Sequence, residues 1–217
     1  MKTIFLVISF LFFLVISFDS PTGFICAVGI AVYLLRNPLR RAFSFMPHPF
    51  GFIGLGISFG LLTEGFAILD NLKRLPENRI LIDADPVRDL FFGFFFYGIF
   101  IVVWYLFLRR WNFSVKQVFI LSGVFGILTE QFNPAAGGPV ILLQAITNPL
   151  IGIPMALLIA GIYGTFPSIA YLLTKEKFSN GRRKIRYQTY FIVLIGFFVQ
   201  WAMYGNFILP FLKRILS

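Results

Sequence analysis

Phe59-Gly60-Leu61-Leu62-Thr63-Glu64-Gly65-Phe66 and Phe125-Gly126-Ile127-Leu128-Thr129-Glu130-Gln131-Phe132 agree at six of eight positions across an offset of 66 residues. Each octapeptide sits in a long apolar run and holds that run's single acid. An ionisable group at the centre of a membrane helix costs about 2.5–3.5 kcal/mol on insertion scales, and such residues mark function by default. Small residues precede each acid at four-residue steps, as Gly56, Gly60, Glu64 and as Ser122, Gly126, Glu130. Positions four apart stack on one helical face, and small side chains there admit a neighbouring helix at close range. Both carboxyl groups are therefore expected to face protein. The competing reading is structural. Near the end of a span the cost falls, and each Glu would then act as glue between helices, hydrogen-bonded to Thr63, Thr129 or Gln131.

The likeness continues more weakly beyond the octapeptides. Asp85-Pro86 and Asn148-Pro149 open the runs that follow, and Tyr97-Gly98 and Tyr163-Gly164 lie inside them. A two-helix unit at 50–108 is thus expected to recur at 115–173 as a parallel repeat. The last run offers a degenerate third copy, Gly196-xxx-Gln200, with Asn206 further along. The expected substrate- or ion-binding set is Glu64, Glu130, Gln200 and Asn206, with Thr63 and Thr129 beside the acids. By position this set lies in the outer half of the membrane and opens outward.

Composition places these runs in a bilayer. Of 217 residues 58% are hydrophobic and 13% charged, and the mean hydropathy is +0.84. Soluble domains carry about 25% charged residues, so a soluble enzyme and a disordered chain are both excluded. The lone Cys26 excludes an intrachain disulfide scaffold. A membrane crossing takes about 20 mostly apolar residues. Such runs occur at 50–69, 90–108, 115–132, 150–173 and 187–209. Residues 3–36 are too long for one helix, and Asp19-Ser20-Pro21 divides them into two short runs, expected to form a tight hairpin. No small-x-small cleavage site lies near Asp19, so the first run is not read as a signal peptide. The expected fold is an all-α integral membrane bundle of about seven spans in a single domain over 1–217.

Basic residues fix the expected orientation. Lys2, Arg36, Arg40, Arg41, Arg109, Arg110, Lys116, Lys175, Lys177, Arg182, Arg183, Lys184 and Arg186, 13 of the 19, fall on one side with Glu176 as its only acid. That side is expected to be cytoplasmic in a cell membrane, with the N-terminus inside and the C-terminus outside. The net charge of +10 then reflects this asymmetry and attraction to anionic lipid headgroups, above all at 175–186. No loop is long enough for a basic soluble domain, which excludes nucleic acid as a partner.

Asp83, Asp85 and Asp89 form a D-x-D-x-x-x-D cluster of oxygen donors that could hold a divalent cation. The competing reading makes Asp85-Pro86 a helix start, with acids favoured at the positive end of the helix dipole. Asn133 to Pro139 break the chain after Glu130, leaving 140–147 as either a short re-entrant helix or part of an exterior loop. The only histidine, His48, lies between two prolines, which excludes H-E-x-x-H zinc chemistry, and there is no glycine-rich phosphate loop. Two functional classes remain. One is a small ion or solute transporter or channel without a cofactor, with proton coupling as one form of it. The other is a membrane-embedded enzyme acting on a lipid or isoprenoid, with a divalent cation on the aspartates. A non-catalytic partner subunit is a third alternative.

Overall fold

Helix starts and stops follow the local chemistry of the chain. In the computed structural model, which describes residues 2–73, 81–131, 140–178 and 182–216, every regular element of the described residues is helical apart from one isolated bridge between Trp111 and Arg183. The helices are α1 (Lys2–Asp19), α2 (Phe24–Leu34), α3 (Arg36–Ala42), α4 (Phe50–Leu72), α5 (Pro86–Arg110), α6 (Val115–Gln131), α7 (Val140–Thr147), α8 (Pro149–Thr174) and α9 (Tyr187–Met203). A π-helical turn, Tyr204–Ile208, carries α9 into α10 (Leu209–Leu216). Asp85 begins α5 by accepting hydrogen bonds from the Val87 and Arg88 amides, with Pro86 in the first turn. Both features satisfy or avoid the orphan N–H groups of a helix start.

Among the described residues, four helical segments are long and apolar enough to cross a membrane: Phe50–Leu72, Pro86–Arg110, Pro149–Lys177 and Tyr187–Leu216. The count rises to five if α2, taken with its leading turn, and α3 form one broken span. Four or five segments thus meet the test, against the seven expected. The chain turns by 83° between α2 and α3, where the Arg36 guanidinium donates to the Tyr33 carbonyl at 2.9 Å. The apolar part of α1, Ile4–Phe18, is short. Helix α6 is 17 residues in its described part. The division expected at Asp19-Ser20-Pro21 is present as a 3-10 turn over Pro21–Gly23, and α1 packs on α2 beyond it. The turn is tied to the end of α4. Ser20 Oγ and the Thr22 amide donate to Asp70 Oδ2 at 2.8 and 3.0 Å, and Thr22 Oγ1 donates to the same oxygen.

Glycines set the helix pairing. Gly56 of α4 backs onto Ile101, Gly60 onto Tyr97, and Gly93 of α5 onto Glu64. Numbers rising on one helix as they fall on the other make the pair antiparallel. In α6 and α8 the facing positions are Gly123 with Ala160, Gly126 with Tyr163, and Gly164 with Phe119. The two pairs meet across an aromatic core. The Phe100 ring stacks on Phe125 and Phe197, with centroids 5.4 and 4.6 Å apart, and lies 5.4 Å from Phe166. Trp104, fully buried, donates to Ser122 Oγ at 2.8 Å.

At the basic end of the bundle, cations satisfy carbonyls left over at helix ends. Arg40 donates to the Leu172 carbonyl at 2.8 Å and pairs with Glu176 at 2.9 Å. Arg182 reaches the Leu108 carbonyl at 3.2 Å and the Tyr171 hydroxyl at 3.0 Å. Lys177 donates to the carbonyls of Phe43, Ser44 and Met46.

Candidate functional site: two tyrosine-bonded glutamates

Glu64 is buried, at 9% exposure, on the α4 face that also carries Gly56 and Gly60. Its Oε2 accepts a hydrogen bond from the Tyr97 hydroxyl at 2.7 Å. Glu130, half-buried on α6, accepts from the Tyr163 hydroxyl at 2.6 Å. In both cases donor and acceptor are 33 residues apart, and in both the tyrosine ring lies against the glycine one turn before the acid, Gly60 or Gly126. The absence of a Cβ at these two glycines is what admits the rings. A Cβ built on Gly60 would lie 2.5 Å from Tyr97 Cγ.

Thr63 and Thr129, both buried, do not hold the acids. Thr63 Oγ1 donates to the Phe59 carbonyl at 2.8 Å. Thr129 Oγ1 donates to the Phe125 and Gly126 carbonyls, each at 3.0 Å. Threonines within a helix commonly bond back to their own preceding turn in this way, so the partner expected from the same helix comes instead from the next one. The two sites meet through the core, where the Tyr97 ring lies 5.1 Å from Phe166 of α8.

Asp89 is a third acid of the site. Expected to be a loop residue with its neighbours, it lies in the first turn of α5 and is fully buried. Its Oδ1 accepts from the Asp83 amide at 3.0 Å. Its Oδ2 is buried and finds no donor among the described residues. Along α5, Asp89, Gly93 and Tyr97 follow at four-residue steps on one face. Glu64 sits over Gly93, with a built Gly93 Cβ 3.0 Å from Glu64 Cγ.

The other two aspartates of the proposed cation cluster serve the chain. Asp83 Oδ1 accepts from the Asp85 amide at 3.0 Å, and exposed Asp85 caps α5. The Arg88 and Val87 amides hold the Asp85 carboxyl below the usual carboxylate range. Among the described residues no group of three or more His, Cys, Asp and Glu is arranged to hold a metal ion.

On the last span the two expected residues part company. Gln200 is buried at 4% exposure, with neither amide atom hydrogen-bonded among the described residues. It lies on the α9 face that also buries Phe197 and, one turn on, Tyr204. Phe197 stacks on Phe100, and Tyr204 touches the Phe96 ring and donates to the Phe92 carbonyl at 2.9 Å. This register sets Gln200 beside the α5 turn that holds Tyr97. Asn206 is exposed in the π-helical turn and donates to the Ala202 carbonyl at 2.9 Å, so it does not join the site. The break expected at 133–139 lies outside the described residues. Val140–Thr147 is helical and packs on α8.

Away from the acids, α1, α2, α6 and α8 enclose an open apolar cavity of about 1110 Å³, lined by Phe5, Phe13, Cys26, Ile30, Phe119 and Ile169. Lys116 borders it, and so does Ser168, whose buried hydroxyl has no partner among the described residues. No protein-family model, no curated protein and no solved structure matches this chain.

Proposed function

We propose that the chain is a small membrane transporter or channel that binds and moves protons through paired intramembrane carboxyl groups, Glu64 and Glu130. The observation that carries this reading is the matched pair of tyrosine–glutamate hydrogen bonds, set between antiparallel helices whose units meet where Tyr97 touches Phe166. A phenol both donates and accepts hydrogen bonds, so each tyrosine can hold a carboxylate or pass a proton from it.

In this reading 50–108 and 115–173 are two copies of one unit. Gly60, Glu64 and Tyr97 in the first take the places of Gly126, Glu130 and Tyr163 in the second, and Phe100 and Phe166, equivalent under the same offset, meet in the core. Gln200 adds an uncharged polar group from α9. The basic end holding Arg40, Lys175 and Arg182 faces the cytoplasm and its anionic lipids, and the carboxyl sites lie toward the outside.

Proteoliposomes holding the wild-type chain and the Glu64→Gln, Glu130→Gln double variant test this. The wild type should dissipate an imposed pH gradient, and a double variant of unchanged unfolding temperature should not. If neither leaks and only the unfolding temperature falls, the glutamates are structural. A second reading, lipid or isoprenoid chemistry, is favoured by the apolar cavity with Lys116 at its edge and the buried Ser168 hydroxyl. It predicts lipid turnover in detergent and no proton flux.

A further inference from the structure

The two acid sites share their tyrosine but are unequal on the rest of the facing helix. Under the offset of 66, Tyr97 corresponds to Tyr163, whereas Gly93 corresponds to Ile159 and Asp89 to Met155. The α4–α5 site alone therefore carries a glycine beneath its glutamate and an acid one turn before that glycine. Both differences act in the same direction. Gly93 lets the Glu64 side chain lie against α5, and Asp89 sets a second buried carboxyl one turn away on the same face.

Two carboxylates accept hydrogen bonds and donate none. With both ionised, the buried Asp89 Oδ2 has no donor among the described residues, and the hydroxyl of Tyr97 serves Glu64 alone. A proton on either carboxyl supplies the missing donor and brings the charge of the pair from minus two to minus one. Several described groups surround the pair. From α5 come Asp89 and Tyr97, from the π-helical turn Tyr204, from α6 Glu130 and from α8 Tyr163. Lys213 of α10 is turned to other groups, lying over the Phe92 ring at 5.8 Å and donating to the Ile82 carbonyl at 2.9 Å. The buried Gln200 amide leaves a donor and an acceptor unused among the described residues.

We infer that Glu64 and Asp89 form a carboxyl pair that binds one proton between them, making the α4–α5 unit the proton-binding site and leaving Glu130 with Tyr163 as a single-carboxyl site. This specifies the proton site of the translocation proposed above and rests on that reading only for its purpose. The pair can be tested without flux. Infrared spectroscopy of the reconstituted chain at neutral pH should show the C=O stretch of a protonated carboxylic acid that moves on transfer to D2O. Asp89→Asn should shift or abolish that band, since the hydrogen-bond partner changes, and Glu64→Gln should remove it. Glu130→Gln should leave it in place.

A wild-type chain without a protonated-carboxyl band overturns the inference, whatever the variants do. A band unmoved by Asp89→Asn in a folded protein also overturns it. The two proposals fail separately. A band in a chain that moves no protons keeps the pair and removes translocation, and proton flux without the band does the reverse.

Discussion

Replacing Gly60 by alanine strikes the contact on which the site is built. The added methyl would lie 2.5 Å from Tyr97 Cγ and 2.7 Å from its Cβ and Cδ1, against about 3.5–4.0 Å for carbon atoms in comfortable contact. These are atoms at the root of the side chain, so a tip rotation cannot relieve the clash. The ring or the helix must retreat by roughly 1 Å. Overpacking of this kind costs about 1–3 kcal/mol. Losing the Tyr97–Glu64 hydrogen bond adds about 0.6 kcal/mol, up to about 1.7, on membrane-protein scales. Alanine recovers about 1 kcal/mol over glycine in helix propensity, leaving a net loss of about 0.6–3.7 kcal/mol.

The same helix holds its own controls. A Cβ on Gly54 or Gly65 meets nothing within 4 Å, so alanine there should be neutral or stabilising by up to about 1 kcal/mol. Unfolding in mixed micelles, titrated with a denaturing detergent, measures all three variants, and Gly126→Ala should repeat the loss in α6. A Gly60→Ala protein at least as stable as Gly65→Ala would refute the packing on which the tyrosine–glutamate geometry rests.

Other outcomes follow from single contacts. Ser122→Ala removes the hydroxyl that accepts from the fully buried Trp104 indole N–H and should cost about 1–3 kcal/mol, read by unfolding and by a change in tryptophan emission. Asp70→Ala removes the shared acceptor of Ser20 and Thr22, so amide exchange in the turn at 20–23 should speed up while α5 stays protected. Partial burial, with Lys177 and Arg109 nearby, holds the His48 imidazole below its ordinary value of 6.5. As pH falls through 6.5 the unfolded chain therefore takes up a proton before the folded one, so stability is full above that pH and drops below it. Unfolding temperatures measured across this range should fall on the acid side, and His48→Gln should flatten the curve.

Much of the site could be read from the chain because membrane burial makes acids conspicuous. Glu64 and Glu130 stand out in apolar runs, and the spacing to Gly60 and Gly126 already implies a helix in close contact. Tyr97 and Tyr163 are visible as matched residues, yet nothing in a one-dimensional pattern says that their hydroxyls reach the acids. That pairing depends on the antiparallel register of α5 on α4 and of α8 on α6. Asp89 was hidden by its neighbourhood. Beside Asp83 and Asp85 it reads as part of a polar loop. Only the start of α5 at Pro86, which turns position 89 onto the Gly93 and Tyr97 face, buries it.

Asn206 is the opposite case. Six residues after Gln200 is about 240° round a regular helix, so Asn206 leaves the buried face and is exposed in the π-helical turn Tyr204–Ile208. The span count is hard to read for a similar reason. Hydropathy finds apolar runs, but it does not register the 83° bend after α2.

The central claim is that Glu64 carries a translocated proton. Its most direct test is the decay rate of an imposed pH gradient across proteoliposomes at a clamped membrane potential, compared among protein-free vesicles, wild type and Glu64→Gln. The account predicts that wild type speeds the decay above the protein-free rate and that Glu64→Gln, at an unchanged unfolding temperature, returns it to that rate. A wild-type decay no faster than protein-free vesicles, or a Glu64→Gln decay equal to wild type, would contradict it.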